Sequence, residues 1–164
     1  MPAESACGSS IFSGSLLAHR PRNDKHDLLT IVLLHEDTRG FSVILQSAPL
    51  EFDEPRFYSP GYETGRLALG DFTGDAGVDV AVAHVIDNTT RNAITIFARD
   101  PDADPKAHRL TPATAGSLDG SIVELLVLDH DRDGRDDLAA ALRTGTRCSV
   151  WIDLNRSPGD VPGS

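Results

Sequence analysis

The sequence predicts an all-β protein, built as a propeller-like array of about three antiparallel blades. Three apolar, strand-like bursts begin directly after an aspartate, at Asp27, Asp79 and Asp137. These aspartates are 52 and 58 residues apart, and self-similarity at such a period is typical of propeller blades. No segment has a long apolar repeat of 3.6 residues, so the pattern does not indicate helices.

Each burst is the first half of a predicted hairpin, because a polar turn and a second strand-like run follow it. The predicted strand pairs are 28–34 with 41–46, 80–84 with 93–98, and 138–142 with 148–153. A further strand precedes the second and third bursts, at 66–70 and 122–128. The continuous apolar stretch 122–128 is compatible with a buried strand or a helical turn. Agreement with the other units favours the strand.

The three units form a single repeat domain over residues 11–156, with units at about 16–50, 66–111 and 122–154. Residues 1–10 are small and polar and are predicted to be disordered, and residues 157–164 are predicted to be a flexible tail. The Pro- and Asp-rich stretch 99–120 is predicted to be a connection with one outer strand at 108–111.

Three blades are fewer than the roughly four to eight that usually close a propeller. The exposed edges of an open array invite pairing with other chains. The sequence therefore predicts a fragment of a larger propeller, a subunit that closes by oligomerising, or an unusual closure.

The overall charge argues against several classes of partner. The chain has 25 acidic and 15 basic residues and a formal charge of −10, which disfavours nucleic acids and anionic lipid. No apolar run is long enough to span a bilayer, and residues 1–18 contain no recognisable signal peptide. Cys7 and Cys148 lack zinc-ligand spacing, and the sequence leaves open whether they are bonded.

The loop from Asp129 to Asp137 is the strongest candidate metal site. It places carboxylates at positions 1, 3, 5 and 9 and Gly134 at position 6, where a sharp turn is needed. Calcium requires six to eight oxygens, which such alternation delivers to one point. Position 12 is Ala140 and strands flank the loop, unlike in a helix-loop-helix calcium hand. The predicted ligands are the Asp129, Asp131, Asp133 and Asp137 side chains and the Arg135 carbonyl.

A second loop, 58 residues earlier, repeats this pattern with one neutral hydroxyl. It is predicted to bind calcium less tightly than the 129–137 loop, so that the protein holds one or two ions. Its predicted ligands are Asp71, Thr73, Asp75, Gly77 and Asp79.

The corresponding positions of the first unit are not suited to a cation. A proline offers no side-chain ligand atom, and a lysine ammonium repels the ion. This loop is predicted to be free of metal, with His19, Pro21, Asn23, Lys25 and Asp27 at the five positions. A solvated turn is the favoured interpretation of this first loop and the alternative for the other two, since Asp and Gly are good turn formers.

No set of residues indicates catalysis, and we expect no enzyme activity. The histidines are not paired with a nucleophile, and Gly-x-Ser-x-Gly is absent. With 25 acidic residues, chance carboxylate pairs are inevitable. Tyr58 and Tyr62, which flank Ser59-Pro60-Gly61, are predicted to be exposed loop aromatics and are weak candidates for a ligand contact.

The stretches 69–83 and 127–141 resemble the FG-GAP or VCBS-type repeats of integrin-like β-propellers, lectins and secreted bacterial proteins. The resemblance covers residues 66–98 and 122–153 well, and 16–46 weakly. It implies that calcium stiffens the blades, that other loops or faces bind the ligands, and that the protein is extracellular or on the cell surface. The Phe-Gly and Gly-Ala-Pro elements that name the repeat are absent.

The expected function is therefore that of a non-catalytic, calcium-binding module for protein or carbohydrate ligands, as in adhesion. Two alternatives remain open at this point. One is an accessory or catalytic domain of a secreted hydrolase, and the other is a purely structural assembly subunit, such as a homo-oligomer.

Overall fold

A computed structural model of the chain describes residues 16–19, 30–35, 39–48, 51–75, 77–86, 91–99 and 110–155. Every regular element in these ranges is a β-strand, so the predicted all-β class is confirmed. The strands are β1 Leu16–His19, β2 Thr30–His35, β3 Gly40–Ala48, β4 Glu51–Phe52, β5 Arg56–Tyr58, β6 Thr64–Gly70, β7 Asp79–Val85, β8 Arg91–Arg99, β9 Leu110–Asp119, β10 Ser121–Leu128, β11 Asp137–Thr144 and β12 Arg147–Asp153.

These strands form three antiparallel sheets, and within each sheet consecutive strands pair with each other except for β5, which pairs with β3. The first sheet has the order β1-β2-β3, with both β4 and β5 paired to β3. The second sheet is β6-β7-β8-β9, and the third sheet is β10-β11-β12. The three predicted hairpins are present as β2–β3, β7–β8 and β11–β12.

Strand β9 is longer than the sequence indicates, because it extends to Asp119 and pairs with β8 along its whole length. The predicted outer strand at 108–111 covers only its beginning. Since β9 is an outer strand, it needs few apolar residues, and Pro112 is tolerated there. The polar composition of β9 therefore prevented most of this strand from being predicted from the sequence. Strand β5 was missed for a different reason: it has only three residues.

The second sheet is covered on both faces, which explains the continuous apolar sequence of β7. Successive side chains of a strand point to opposite faces. Val80 and Val82 pack with the first sheet, in a core that includes Phe41 and Phe97. Ala81 and Ala83 pack with the third sheet in a second core, where the partners include Leu125, Leu138, Ala140 and Leu142.

The first strands of the sheets lie next to one another. Strand β6 contacts β10 on one side and β1 and β2 on the other. The first strand of each sheet therefore lies on the same side of the stack, and the later strands of each sheet are added outward from it.

The first unit differs from the other two in the facing of its strand. A 52-residue offset aligns Thr30 and Val32 with Val82 and His84. In β7, Val82 faces the preceding sheet, and His84, two residues later, is on the same face. Val32, which the offset aligns with His84, instead faces the following sheet. An offset of one residue reverses the faces of a strand, so this alignment is wrong for β2. Of the five predicted positions in the first loop, His19 ends β1, and the other four lie outside the described residues.

The core between the first two sheets is expected to carry much of the stability. Val82→Ala should lower the free energy of unfolding by about 2 kcal/mol, because it leaves a cavity at a fully buried site. The matched change Val127→Ala, at an exposed position of β10, should cost well under half as much. Urea unfolding checks both values, and equal costs would contradict the assignment of the core.

Candidate functional site: the two acidic loops

Two acidic loops, residues 71–78 and 129–136, connect the first two strands of the second and third sheets. Each ends at an aspartate that begins the next strand, Asp79 or Asp137, and both side chains are fully buried. A buried carboxylate is costly unless its oxygens accept hydrogen bonds. The bonds that satisfy these two carboxylates determine how the loops are built.

Asp137 joins its own loop to the end of the third sheet. Its Oδ2 accepts a hydrogen bond from the backbone N–H of His130 at 2.8 Å. Its Oδ1 accepts one from the backbone N–H of Asn155, two residues after β12, at 2.9 Å. One side chain thus fixes the beginning of the loop and the end of the last strand.

Asp79 makes the equivalent connections in the second sheet. Its Oδ2 accepts bonds from the backbone N–H groups of Phe72 at 2.9 Å and Thr73 at 3.1 Å, and from the Thr73 hydroxyl at 3.1 Å. Its Oδ1 accepts a bond at 2.9 Å from the backbone N–H of Arg99, which ends β8. The two loops therefore share one frame, as their 58-residue repeat predicts.

The first aspartate of each loop closes the turn. Asp71 Oδ1 accepts bonds from the backbone N–H groups of Gly74 and Asp75, at 2.7 and 3.1 Å. Asp129 Oδ2 accepts a bond from the backbone N–H of Gly134 at 3.1 Å. These carboxylates therefore have structural work in the loop whether or not an ion is bound.

The fourth loop position has a left-handed backbone in both loops. Its φ is 77° at Gly74 and 64° at the equivalent Arg132. A residue with a Cβ atom resists this conformation, whereas glycine does not. The third-sheet loop has a second left-handed residue, Gly134, with φ of 87°, at the turn for which the sequence predicts glycine.

Three carboxylates converge in the third-sheet loop. Oxygens of Asp129, Asp131 and Asp137 lie within 4.8 Å of one another. Asp129 and Asp131 are exposed, so a cation could reach them from solvent. Among the described residues this is the one group of three acidic, histidine or cysteine side chains with such geometry.

Asp133, the fourth predicted carboxylate, is engaged by its neighbour instead. Its Oδ1 accepts a bond from the backbone N–H of Arg135 at 2.9 Å, and its Oδ2 bonds to the Arg135 guanidinium. The Arg135 side chain and N–H hold the pKa of Asp133 below its usual range. To reach an ion beside Asp129, Asp133 would have to leave this arginine.

The second-sheet loop brings its predicted ligands less close together. Asp71, Asp75 and Asp79 do not form a compact group of three. The Thr73 hydroxyl donates to Asp79, and Asp75 Oδ1 accepts a bond from the backbone N–H of Gly77 at 2.7 Å. These contacts hold the loop closed around its own backbone.

Two residues that sequence reasoning missed connect the loops to each other. Asp136 Oδ2 accepts a bond from the backbone N–H of Asp71 at 3.0 Å. The Asn155 side-chain amide donates to the backbone carbonyl of Asp71 at 2.7 Å. Asp136 lies outside the alternating ligand positions of the loop, and this extra carboxylate was the feature of the sequence that could have indicated its role. No sequence pattern indicated a role for Asn155.

Burial affects the acid-base properties of the loops. It raises the pKa of Asp79 to about 6, against the hydrogen bond from the Arg99 N–H and that from Thr73, which lower it. The negative charge of Asp75 adds to the increase. Burial, followed by the charge of Asp137, also raises the pKa of Asp153.

The two tyrosine candidates are placed differently from each other. Tyr58 was expected in an exposed loop, but it lies on β5, half-buried and stacked on Phe41 with ring centroids 5.5 Å apart. That position makes it part of the core between the first two sheets. Tyr62 is 40% exposed and stacks on His84 at 5.5 Å. Of the two, only Tyr62 offers an aromatic face to solvent.

Two further candidates, His130 and Cys148, are exposed. His130 is exposed, and its backbone rather than its ring takes part in the loop frame. Cys148 is an exposed free cysteine on β12, and Cys7 lies outside the described residues.

No protein-family model matches the chain, and no curated protein sequence is significantly similar to it. Among the described residues, no helix is long and apolar enough to cross a membrane.

Asp79 should give the stability a distinctive pH dependence. Because its folded pKa of about 6 lies above the ordinary 3.8, the folded state binds more protons between these values and loses stability as the pH rises. The free energy of unfolding of the wild type, minus that of Asp79→Asn, should fall by up to about 3 kcal/mol between about pH 4 and 6. Urea unfolding in chelator measures the difference.

The control for this experiment is Asp53→Asn, at an exposed carboxylate away from the loops. Its difference from the wild type should be nearly constant over the same range. A wild-type advantage over Asp79→Asn that grows with pH would mean that hydrogen bonding, rather than burial, dominates at Asp79.

Gly74 should be required for its backbone conformation alone. A Cβ atom there would meet nothing within 4 Å, so Gly74→Ala tests the left-handed φ without a steric clash. We expect a loss of about 1 kcal/mol in the free energy of unfolding. Gly116→Ala also adds a Cβ into open space, but at an extended strand position, and should be neutral or stabilising. Thermal or urea unfolding that gave equal effects would contradict this account.

Proposed function

We propose that this protein is a non-catalytic, calcium-binding repeat module with a propeller-like arrangement of blades, which binds a protein or glycan ligand. The observation that carries the proposal is the shared frame of the two acidic loops. In both loops a buried aspartate organises the backbone, and in the third-sheet loop three carboxylates converge within 4.8 Å.

Calcium suits the third-sheet loop better than other cations. The available donors are carboxylate and backbone oxygens, which favour hard cations, and the loop contains no cysteine that would select zinc. Three carboxylates held this close repel one another, and an ion relieves that repulsion. Asp133 and the Arg135 carbonyl complete the coordination once the Arg135 guanidinium moves away.

The second-sheet loop is proposed to bind a second ion more weakly. Thr73 supplies a neutral oxygen, and its hydrogen bond to Asp79 competes with a role as ligand. Asp71, Asp75, Asp79 and the Gly77 carbonyl supply the remaining oxygens.

The propeller-like arrangement and membership of the FG-GAP or VCBS-type repeats are part of this proposal. Adjacent β6, β10 and β1 support it, because the first strands of propeller blades line the centre of the ring. The repeats 69–83 and 127–141 support it too. An extracellular or cell-surface location follows from this resemblance, and calcium stiffens the blades there.

The ligand surface is proposed to include Tyr62, whose exposed ring stacks on His84 and is held in place by it. Aromatic faces recognise sugars and apolar protein side chains at low entropic cost. Burial lowers the pKa of His84, which favours the neutral form of the histidine beneath the tyrosine.

Calcium binding is tested by isothermal titration calorimetry of the full chain. The wild type should bind one ion, or two with unequal affinity, and Asp129→Ala combined with Asp131→Ala should abolish the tighter event. Binding to the folded state should also stabilise it, by about 2.7 kcal/mol at a calcium concentration near 100 Kd.

The matched control is Asp53→Ala, which removes an exposed carboxylate outside the loops and should leave the titration unchanged. No heat on adding calcium, together with the same unfolding midpoint in calcium and in chelator, would rule out the metal. The double variant binding like the wild type would rule out this loop as the site.

A further inference from the structure

Exposed apolar side chains concentrate at the two ends of the stack of sheets. Eight large apolar side chains are exposed among the described residues. Five of them lie on the outward faces of the first and third sheets, which are the faces turned away from the second sheet. They are Phe52 and Phe57 on the first sheet, and Leu126, Val150 and Ile152 on the third.

The outward face of the third sheet is defined by its strand register. Leu138 and Ala140 of β11 face the second sheet, so Ala139 and Ala141 face outward. Residues paired across strands share a face. Leu126 and Ile152 pair with Ala139, and Val150 pairs with Ala141. Val150 is 68% exposed and Leu126 is 56% exposed.

This bare face repeats a face that is covered inside the molecule. Subtracting 58 converts Ala139 and Ala141 into Ala81 and Ala83, which face the third sheet. The strand partners correspond as well: Ala68 and Ile96 pair with Ala81, and Ile94 pairs with Ala83. The third sheet therefore presents outward the kind of alanine-floored aliphatic face that the second sheet covers with another sheet. The exposed apolar surface of this face is formed by Leu126, Val150 and Ile152, whereas Ala139 is buried.

The outward face of the first sheet is different in character. Phe41 and Val43 face the second sheet, so Ser42 and Ile44 face outward. Phe57 pairs with Ser42, and Phe52 pairs with Gln46, which lies on the same face. The two rings are 53% and 46% exposed. One end of the stack thus carries projecting aromatic rings, and the other carries small alanines between aliphatic side chains.

The hydrogen bonds of the loops also indicate which face of a sheet receives the next sheet. The backbone of Asp71, in the loop of the second sheet, is held by Asp136 and Asn155 of the third sheet. Within the described part of the chain, the equivalent Asp129 has no such partner from a further sheet. The second sheet is therefore built to receive a following sheet on one particular face, and the third sheet repeats that face.

We propose that the occupant of the outward face of the third sheet is the first sheet of a second copy of this chain. Two copies joined head to tail, each by both of its ends, give six sheets in a ring, within the range of about four to eight found in closed propellers. Bulky side chains against small alanines are complementary in shape, and inside the molecule the alanines of β7 are already covered by Leu125, Leu138 and Leu142 of the third sheet.

Residues 156–164 are too few to supply a further sheet for this face. The segment that follows Asn155, residues 156–164, has Val161 as its one aliphatic side chain besides two prolines. It cannot replace a sheet. Like-on-like pairing of two third sheets would leave Phe52 and Phe57 exposed, whereas head-to-tail pairing covers both ends. This inference rests on the propeller-like arrangement proposed above, but not on the metal.

Sedimentation equilibrium of the full chain, in calcium and in chelator, tests the proposal. The wild type should have twice the chain mass of 17.6 kDa in both conditions. Val150→Asp and Phe57→Asp should each yield monomers, because each places a charge in the interface while replacing an exposed side chain. Far-ultraviolet circular dichroism checks that the variants stay folded.

Val127→Asp is the matched control, because it makes the same change at an exposed valine of the third sheet whose partner, Leu138, faces the second sheet, so Val127 lies off the outward face. It should remain a dimer. A wild-type monomer, open-ended polymers, or a Val150→Asp dimer would overturn the proposal, and a Phe57→Asp dimer would indicate like-on-like pairing instead. A dimer that binds no calcium would refute only the metal.

Discussion

The buried carboxylates of Asp79 and Asp137 are the interaction on which the rest of the structure depends. Each begins a central strand, and each accepts backbone hydrogen bonds from the start of its own loop and from the end of the third strand of its sheet. Because a buried carboxylate without donors costs several kcal/mol, the loop and the distant strand end must come together when the sheet forms. Pairing between the strands alone would leave the loop and the distant strand end unattached to each other.

The hydrogen bonds to these buried aspartates also determine where the other carboxylates of each loop lie. With the backbone of residues 129–136 wound around the buried Asp137, the exposed carboxylates of Asp129 and Asp131 are brought within 4.8 Å of its carboxylate. In the second sheet the frame is kept, but Thr73 uses its hydroxyl to bond Asp79. Asp136 and Asn155 then join the two loops across the sheet boundary. The aspartates that would bind the proposed ion are therefore also the ones that hold the loops together.

Much of this architecture could be predicted from local sequence. The apolar bursts after Asp79 and Asp137 and the turns behind them correctly indicated the hairpins, since strand patterns and turn chemistry are local. Strand β9 escaped because an outer strand needs little apolar content, and the position of Tyr58 in the core depends on pairing between β5 and β3. The reversed facing of Val32, the Arg135 contact of Asp133 and the contacts of Asn155 are tertiary, and no local spacing encodes them.

Hydrogen exchange measured by NMR tests the organising role of the buried aspartates most directly. In the wild type, the amide protons of Arg99 and Asn155 should both be protected, since each donates to a buried carboxylate. In Asp79→Ala, which removes both acceptor oxygens, Arg99 should lose most of its protection while Asn155 keeps it, because the hydrogen bonds of Asp137 are intact. Equal protection of Arg99 in the two proteins would contradict the claim that Asp79 holds the end of β8.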